Sequence, residues 1–207
     1  MVNWIKHFFR SGEAWESRRY WVLDLELSGL DPVDSHILSA GWVCIEDGVI
    51  QLDQAGYCLF KKSALMGDDV SDSAHVHHIT DQQREQGVDL RLWLQQQLAQ
   101  HHHDIWVMHH SPLDLRFLKM HSQRLGVHWP KAETLDTMLY EKRRVPPDRL
   151  GTHATLNLNA CRHRYSLPHY RSHHAFSDAL ATAELFLAQV KSRRDTNLTD
   201  RKLKRLF

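Results

Sequence analysis

The stretch Tyr20-Trp21-Val22-Leu23-Asp24-Leu25-Glu26-Leu27-Ser28-Gly29-Leu30 joins a β-rich run to a cluster of turn formers. Side chains alternate between the two faces of a strand, so Asp24 and Glu26 point from the same face. The turn residues, which continue to Pro32, predict that this strand ends just after the two carboxylates. Such a pair of carboxylates is suited to binding a metal ion.

Outward from this strand, the next two extended runs cover residues 37–45 and 49–60. They are joined through Glu46-Asp47-Gly48, and Asp-Gly is a strong hairpin signal because both turn positions tolerate positive φ. The sequence therefore predicts that the second and third strands pair antiparallel.

The chain then alternates between helical and extended patterns. Thr80 and Gln83 have the spacing of a capping box and introduce an apolar stripe, which predicts one helix of about 20 residues. Residues 104–109 are strand-like. Ser111 followed by Pro112 predicts an N-cap and a first-turn proline for the next helix.

Three further elements complete the pattern. A short strand near Thr134 leads into a helix with Asp136 as its expected N-cap, and another helix is predicted over residues 154–165. The last helix is marked by an apolar stripe of Phe176, Leu180, Ala183, Leu187 and Val190. A hairpin followed by alternating helices and strands predicts an α/β fold, a mixed sheet with helices on both faces. Ligands of such folds bind at the carboxyl ends of strands.

With 207 residues, of which 42% are apolar, the chain is expected to form one globular body. We assign an amphipathic helix to residues 1–17, the main domain to 18–190 and a basic helix or tail to 191–207. The tail has seven Lys/Arg and two Asp, whereas the whole chain carries only +1, which argues against a histone-like electrostatic binder. The tail is therefore either a surface for a polyanion or a solvated terminal helix.

The three cysteines, Cys44, Cys58 and Cys161, are widely spaced and form no CxxC pair, which argues against a disulfide framework or a zinc ribbon. The 17 histidines also lack the spacing of a zinc site. Charges interrupt the apolar residues near the N-terminus too soon for a signal peptide or a membrane span. These features predict a cytoplasmic protein that does not enter a membrane.

Three stretches resemble the motifs of the DEDDh, or DnaQ-like, 3′-to-5′ exonucleases, typified by the proofreading epsilon subunit of bacterial DNA polymerase III. Residues 24–30, Asp-Leu-Glu-Leu-Ser-Gly-Leu, resemble the first motif. Residues 109–118, His-His-Ser-Pro-Leu-Asp-Leu-Arg-Phe-Leu, resemble the second, and residues 173–179, His-His-Ala-Phe-Ser-Asp-Ala, resemble the third. All three occur in order, and residues 76–80 are similar to a helix entrance of epsilon-like members.

The resemblance implies a ribonuclease H-like fold with a five-stranded sheet and a 3′-to-5′ exonuclease activity. It also implies that four carboxylates bind metal and that a histidine is the general base: Asp24, Glu26, Asp114, Asp178 and His173. The chain departs from the family pattern with Ser28 in place of Thr, His110 in place of Asn and Leu113 in place of an aromatic residue.

The residues support the same chemistry on physical grounds. Four carboxylates gathered without a lysine repel one another, so the site needs protons or hard divalent cations, and Mg²⁺ or Mn²⁺ fits. Two ions about 4 Å apart can activate a water and neutralise the leaving oxygen of a phosphodiester. His173 can take the proton of that water. Taken singly, Asp114 and Asp178 are better explained as first-turn helix carboxylates, but the full combination favours a catalytic site.

Substrate contacts are expected around the turn after the first strand. Gly29 would let the backbone approach a terminal nucleotide, with Leu30 packed against its base, although a simple turn explains Gly29 equally well. Ser28, His78 and His110 are further candidates for binding the substrate.

We therefore expect hydrolysis of single-stranded or frayed 3′ ends, with DNA preferred and 5′-nucleoside monophosphates as products. RNA is an alternative substrate, because residues 24–32 also resemble the oligoribonuclease version of the first motif. A noncatalytic nucleic-acid-binding or polymerase-associated module is a second alternative, which the basic tail would suit. The expected partners are nucleic-acid 3′ ends and a DNA polymerase or another replication or repair protein.

Overall fold

A mixed five-stranded sheet has the strand order β3-β2-β1-β4-β5. The computed structural model describes residues 13–62, 79–144, 156–171, 173–193 and 198–207. The strands are β1 Tyr20–Leu27, β2 Ile37–Glu46, β3 Val49–Leu59, β4 Ile105–Met108 and β5 Glu133–Asp136. Strand β2 is antiparallel to β1 and β3, whereas β4 is parallel to β1 and β5.

The β2–β3 hairpin forms through the predicted Asp-Gly turn. Asp47 has a φ of 51° and Gly48 a φ of 70°, so both residues adopt the left-handed conformation that this turn requires. The strand limits agree with the sequence prediction to within one residue at each end. The antiparallel pair is therefore confirmed.

The described helices follow the strands in the predicted alternation. They are α1 Asp81–Arg84, α2 Leu90–Gln100, α3 Ser111–Arg124, α4 Thr137–Arg144, α5 Leu158–His163, α6 Ala175–Lys191 and α7 Asp200–Leu206, together with a 3₁₀ turn at Trp15–Ser17. Of the helices within these parts of the chain, none is both long and apolar enough to cross a bilayer.

The strand alternation of β1 divides the core between the two faces of the sheet. Tyr20 and Val22 pack with α6 through residues such as Phe186. Trp21 and Leu23 pack on the other face with α2 and α3. Both faces of the sheet are thus covered by helices, as the sequence predicts.

The prediction of one long helix after Thr80 is wrong. The capping box between Thr80 and Gln83 is present, but α1 ends at Arg84. The chain then runs beside β3, where the amide of Val88 donates to the carbonyl of Leu59 at 2.8 Å. Asp89 next caps α2 by accepting from the amide of Leu92. The long-range contact with β3 provides backbone partners that a continuous helix would have to give up.

The close approach to β3 depends on Gly87. A Cβ atom at Gly87 would lie 2.7 Å from the Leu59 carbonyl oxygen, which is too close for any other residue without rearrangement. The sequence marks the break with this glycine, but the apolar stripe on either side of it conceals the interruption.

Both ends of the described chain pack on the domain. Leu203 of α7 and the terminal Phe207 are buried with Tyr140 and Phe186, so α7 is anchored by an apolar face while its basic residues face outward. The first part of the expected N-terminal helix, residues 1–12, lies outside the described residues. The same is true of residues 154 and 155 of the helix that is predicted over 154–165, which begins at Leu158.

Candidate active site

Asp24 and Glu26 lie near the end of β1, on the face of the sheet that α6 covers. They follow Tyr20 and Val22 in the alternation that places those two side chains under α6. Glu26 is only 8% exposed, and Asp24 is partly accessible. The strand therefore presents both carboxylates to the first residues of α6, as the sequence predicts.

Gly41 lets α6 approach β1 closely. It is the β2 residue that pairs with Asp24, and a Cβ atom there would lie 2.2 Å from the Ala175 carbonyl carbon and the Phe176 nitrogen. No side chain fits in that space. The start of α6 therefore lies directly on β2 beside Asp24, a role of Gly41 that was not predicted from the sequence. A glycine within a buried β-rich run is the signal that could have revealed it.

The approach of α6 brings a third carboxylate to the pair. One carboxylate oxygen each from Asp24, Glu26 and Asp178 lie within 4.8 Å of one another. Asp178 lies in the first turn of α6, and its Oδ2 accepts a hydrogen bond of 2.7 Å from the backbone N–H of His173. Three of the predicted ligands therefore converge in space although up to 154 residues separate them in the chain, from position 24 to position 178.

His173 stands at the entrance to this carboxylate cluster. Its side chain is exposed, and its backbone is left-handed with a φ of 68°, an uncommon conformation for a residue other than glycine. The hydrogen bond to Asp178 holds this conformation in place. The fifth predicted residue is thus tied to the cluster through its main chain.

Asp114 approaches the cluster from α3. It lies in the first turn of that helix and is 6% exposed. It is outside the group of three, but its charge acts on Asp24. Burial raises the pKa of Asp24 well above its usual value, and repulsion from Asp114, Glu26 and Asp178 raises it further. Burial likewise raises the pKa of Asp114, followed by repulsion from Asp136 and Glu26.

The electrostatics of the cluster fit a divalent cation. Burial, followed by the charge of Asp178, raises the pKa of Glu26 to about 8. Burial also raises the pKa of Asp178, and the N–H of His173 opposes that shift. Buried carboxylates that repel one another must either take up protons or share a positive ion, and hard cations such as Mg²⁺ and Mn²⁺ prefer carboxylate oxygens. The donor set present is therefore of the kind that these ions need.

Asp136 has a larger role than the sequence predicts. As expected, it caps α4, because its Oδ1 accepts from the amide of Met138 at 2.9 Å. It also accepts from the amides of His110 at 3.0 Å and Ser111 at 3.1 Å, at the start of α3. One carboxylate thus stabilises the beginnings of two helices, one of which carries Asp114.

The prediction that Ser111 is an N-cap is wrong by one residue. His110 occupies the cap position with a φ of 72°, and its side chain makes no capping hydrogen bond. The Ser111 hydroxyl instead donates to Asp136. The cap comes from a residue that is distant in sequence, which a local pattern does not reveal.

His109 is a partly buried, neutral histidine that directly follows β4. Burial lowers its pKa to about 4. Its ring is held between the Thr137 hydroxyl, 2.8 Å from Nδ1, and the Leu156 carbonyl, 2.9 Å from Nε2. A neutral imidazole satisfies both by accepting at Nδ1 and donating from Nε2. His109 therefore joins the starts of α4 and α5 to the end of β4.

The turn after β1 is closed by its own side chains. The Ser28 hydroxyl accepts from the amide of His36 at 2.8 Å. A Cβ atom at Gly29 would lie 2.4 Å from the Ser35 hydroxyl oxygen, so Gly29 and the Ser35 side chain pack closely within the turn. Leu30 is 74% exposed at the tip. His78, the remaining substrate candidate, lies outside the described residues.

Two arginines of α3 hold this turn from outside. Arg124 donates to the carbonyls of Pro32 at 3.1 Å and Val33 at 3.0 Å. Arg116 donates to the carbonyl of Leu30. The exposed side chain of Leu30 therefore projects from a backbone that is fixed to the helix that carries Asp114. Neither arginine is among the site residues predicted from the sequence.

Comparison with known protein families gives one match that covers most of the chain. The model of the RNase_T family, described as "Exonuclease", matches residues 21–186. Among curated proteins, the chain is 27% identical over 187 residues to a PolC-type DNA polymerase III of Thermotoga petrophila, a stretch that covers 90% of this chain and 13% of that protein. A PolC-type polymerase of Thermotoga maritima is 27% identical over 179 residues, which cover 86% of this chain and 12% of that protein. The chain thus spans a small part of these relatives' length.

Solved structures share the fold. The nuclease domain of 3′hExo, described as a DEDDh family member bound to rAMP, is similar with a TM-score of 0.71 and 11% identity, over 87% of this chain and 95% of that one. Exonuclease X in complex with duplex DNA is similar with a TM-score of 0.63 and 17% identity, over 90% and 98%. E. coli Exonuclease I with a dA16 oligonucleotide gives a TM-score of 0.71 and 12% identity, over 87% and 42%.

Proposed function

Because this chain belongs to the RNase_T exonuclease family, we propose that it is a metal-dependent 3′-to-5′ exonuclease that releases 5′-nucleoside monophosphates from single-stranded or frayed 3′ ends. One observation carries the proposal: oxygens of Asp24, Glu26 and Asp178 lie within 4.8 Å of one another. Such a grouping of buried carboxylates is costly without a cation. Carboxylates grouped in this way can hold the metal ions that assist phosphodiester hydrolysis.

The proposed ligands of two Mg²⁺ or Mn²⁺ ions are Asp24, Glu26, Asp114 and Asp178. When bound, the ions would supply Lewis acidity for the water and for the leaving oxygen. The protein's own contribution is to hold the oxygens in place before the substrate arrives. The pairing with β2 fixes Asp24, and the amide of His173 orients Asp178.

We assign the general base to His173. An imidazole can accept a proton at neutral pH, and this one is exposed at the entrance to the carboxylates, where a substrate and water have access. The hydrogen bond from its backbone to Asp178 keeps the residue beside the cluster. His173 then takes the proton of the attacking water during hydrolysis.

The terminal nucleotide is proposed to bind at the turn after β1. Leu30 is exposed and rests on a backbone held by Arg116, so it offers a fixed apolar surface to a base. Ser28 and Gly29 shape this turn. His110, exposed beside the first turn of α3, and His78 are the remaining proposed substrate contacts.

DNA is the proposed substrate, and a DNA polymerase or another replication or repair protein is the proposed partner. The PolC-type polymerases among the relatives and the DNA complexes among the similar structures support both. RNA is the second candidate, supported by the similar structure that is bound to rAMP.

The proposed domain limits, 18–190, include the family match at 21–186. The free thiols of Cys44, Cys58 and Cys161 support a reducing compartment, the cytoplasm.

The test is hydrolysis of 5′-labelled oligonucleotides, as single-stranded DNA, duplex DNA and RNA, with Mg²⁺, Mn²⁺ or EDTA. We expect stepwise shortening from the 3′ end, dependence on the metal and faster hydrolysis of single-stranded DNA. Asp24→Asn and His173→Ala should lose at least about 100-fold in rate, because each removes a proposed catalytic group. Asp53→Asn, at an exposed carboxylate of β3, is the matched control.

Three outcomes would contradict all or part of the proposal. Full activity in Asp24→Asn and His173→Ala would show that the carboxylate cluster is not the active site. Salt-sensitive binding of oligonucleotides with no metal-dependent hydrolysis would instead favour the noncatalytic module. A rate on RNA more than about tenfold above that on matched DNA, which is about 1.4 kcal/mol in activation free energy, would make RNA the substrate.

A further inference from the structure

Tyr57 lies in the same row of the sheet as Asp24. Gly41 pairs with Asp24 on β1 and with Tyr57 on β3. Directly paired residues project from the same face of a sheet, and neighbouring strands are about 4.8 Å apart. Tyr57 and Asp24 are therefore two strands apart on the α6 side, separated only by a residue without a side chain.

The start of α6 fills the space that Gly41 leaves between them. The Ala175 and Phe176 backbone lies against Gly41, as the 2.2 Å approach to a Cβ atom at that position shows. The ring of Tyr57 stacks on the imidazole of His174, with centroids 4.6 Å apart and planes at 21°. Aromatic rings at this separation and tilt attract one another beyond the area that they bury. Tyr57 thus closes the outer side of the segment that enters α6.

The segment that Tyr57 contacts needs such support. His173 holds a φ of 68°, and uncommon backbone conformations persist only where neighbouring structure imposes them. On the inner side, the His173 amide is bound to Asp178. On the outer side, the described structure offers the stack of Tyr57 on His174. The His174 carbonyl also accepts from the amide of Asp178 at 3.0 Å, so the ring stack adds a side-chain contact to the main-chain bonds that hold residues 173 and 174.

We propose that Tyr57 is a positioning residue of the exonuclease reaction, whose ring holds His174 and thereby fixes His173 beside Asp178. The inference rests on the proposed function, because it takes His173 as the general base. Tyr57 is 38% exposed on the edge strand β3, so its loss leaves the core intact. Without the ring, residue 173 would sample other conformations, and its imidazole would less often be positioned to accept the proton of the attacking water.

Steady-state kinetics on a single-stranded oligonucleotide test the proposal. Tyr57→Ala is expected to lower kcat about tenfold or more while KM changes less than about twofold, since the variant misplaces a catalytic group but removes no substrate contact. Tyr57→Phe keeps the ring and should recover kcat to within about twofold of the wild type. Leu52→Ala, at another exposed apolar residue of β3, is the matched control and should behave as the wild type.

A double-mutant cycle tests whether Tyr57 acts through His174. His174→Ala should lower kcat as much as Tyr57→Ala does, and the double variant should lose no more than either single one. Additive losses would overturn the route through His174. An unchanged kcat in Tyr57→Ala would overturn the positioning role, and so would a raised KM alone, which would make Tyr57 a substrate contact.

An NMR measurement separates this inference from the proposed function. The stacked phenol should shift the ring proton resonances of His174 upfield, and Tyr57→Ala but not Tyr57→Phe should abolish the shift. A wild-type protein that shows this shift but has no nuclease activity would overturn the proposed function and leave the stack established. An active protein without the shift would overturn the positioning role alone.

Discussion

Gly41 on β2 pairs directly with Asp24 on β1, and the missing side chain of Gly41 gives α6 its place beside Asp24. Asp178 reaches the β1 carboxylates because its helix begins on this glycine. The grouping of the three carboxylates therefore depends on a residue that contributes no carboxylate itself.

Gly41→Ala should both destabilise the protein and separate the carboxylates. A Cβ atom 2.2 Å from the α6 backbone cannot be accommodated by a side-chain movement, so the helix must shift. We expect a loss of about 3 kcal/mol in the free energy of unfolding by urea, together with loss of nuclease activity. Gly126→Asn is the control, because Gly126 has a φ of 65° and open space around it, and asparagine tolerates that conformation. Unchanged stability in Gly41→Ala would mean that α6 does not rest on β2.

Asp136→Ala should destabilise the protein more than the loss of an ordinary helix cap. The Asp136 carboxylate accepts from amides at the starts of both α3 and α4. At about 1 kcal/mol for each cap, and more for buried amides, we expect a loss of about 2 to 4 kcal/mol in urea unfolding. Asp53→Ala at an exposed position of β3 should change little. A loss of 1 kcal/mol or less would indicate that a single cap is involved.

The stability of the metal-free protein should fall as pH rises. The folded-state pKa of Glu26 is raised to about 8, and those of Asp24 and Asp114 are also raised, so folding favours their protonated forms. That contribution is complete below the ordinary carboxylate pKa near 4.5 and is lost as pH rises through about 8. In EDTA, the midpoint of thermal unfolding should therefore decrease relative to Glu26→Gln between pH 5 and pH 8.

Mg²⁺ or Mn²⁺ should reverse this loss. A ligand that binds only the folded state stabilises it, and ionised carboxylates bind the cation better than protonated ones, so the increase in thermal midpoint should be larger at pH 8 than at pH 5. Glu26→Gln should show a smaller increase. An equal increase at both pH values would place the bound metal outside the carboxylate cluster.

Arg124→Ala should weaken substrate binding without removing a catalytic group. The guanidinium holds the carbonyls of Pro32 and Val33 and so fixes the turn that presents Leu30. Loss of two such bonds, at about 1.4 kcal/mol in total, corresponds to an increase of about tenfold in KM with kcat less affected. Arg91→Ala, at an exposed position of α2, is the control. A fall in kcat at constant KM would show that the turn positions the reacting phosphate instead.

The motifs that resemble DEDDh exonucleases give the correct family, since the exonuclease family model matches residues 21–186. The strands and helices that carry these motifs could also be predicted from the sequence. The alternation of β1, the Asp-Gly hairpin and the apolar stripe of α6 are local patterns, and local backbone preferences produce them directly. The long helix predicted after Thr80 failed because the competing contact of Val88 with β3 is not local.

The sequence by itself determined the strands, the hairpin and which carboxylates are candidates for the site, because each depends on the spacing of a few neighbouring residues. Only the tertiary structure decided that Gly41 admits α6, that Asp136 also caps α3 and that Tyr57 stacks on His174. Each of these contacts joins residues that are far apart in the chain, and their proximity depends on how helices pack against the sheet. A sequence pattern records which groups are available, whereas close packing of the folded chain determines which of them meet.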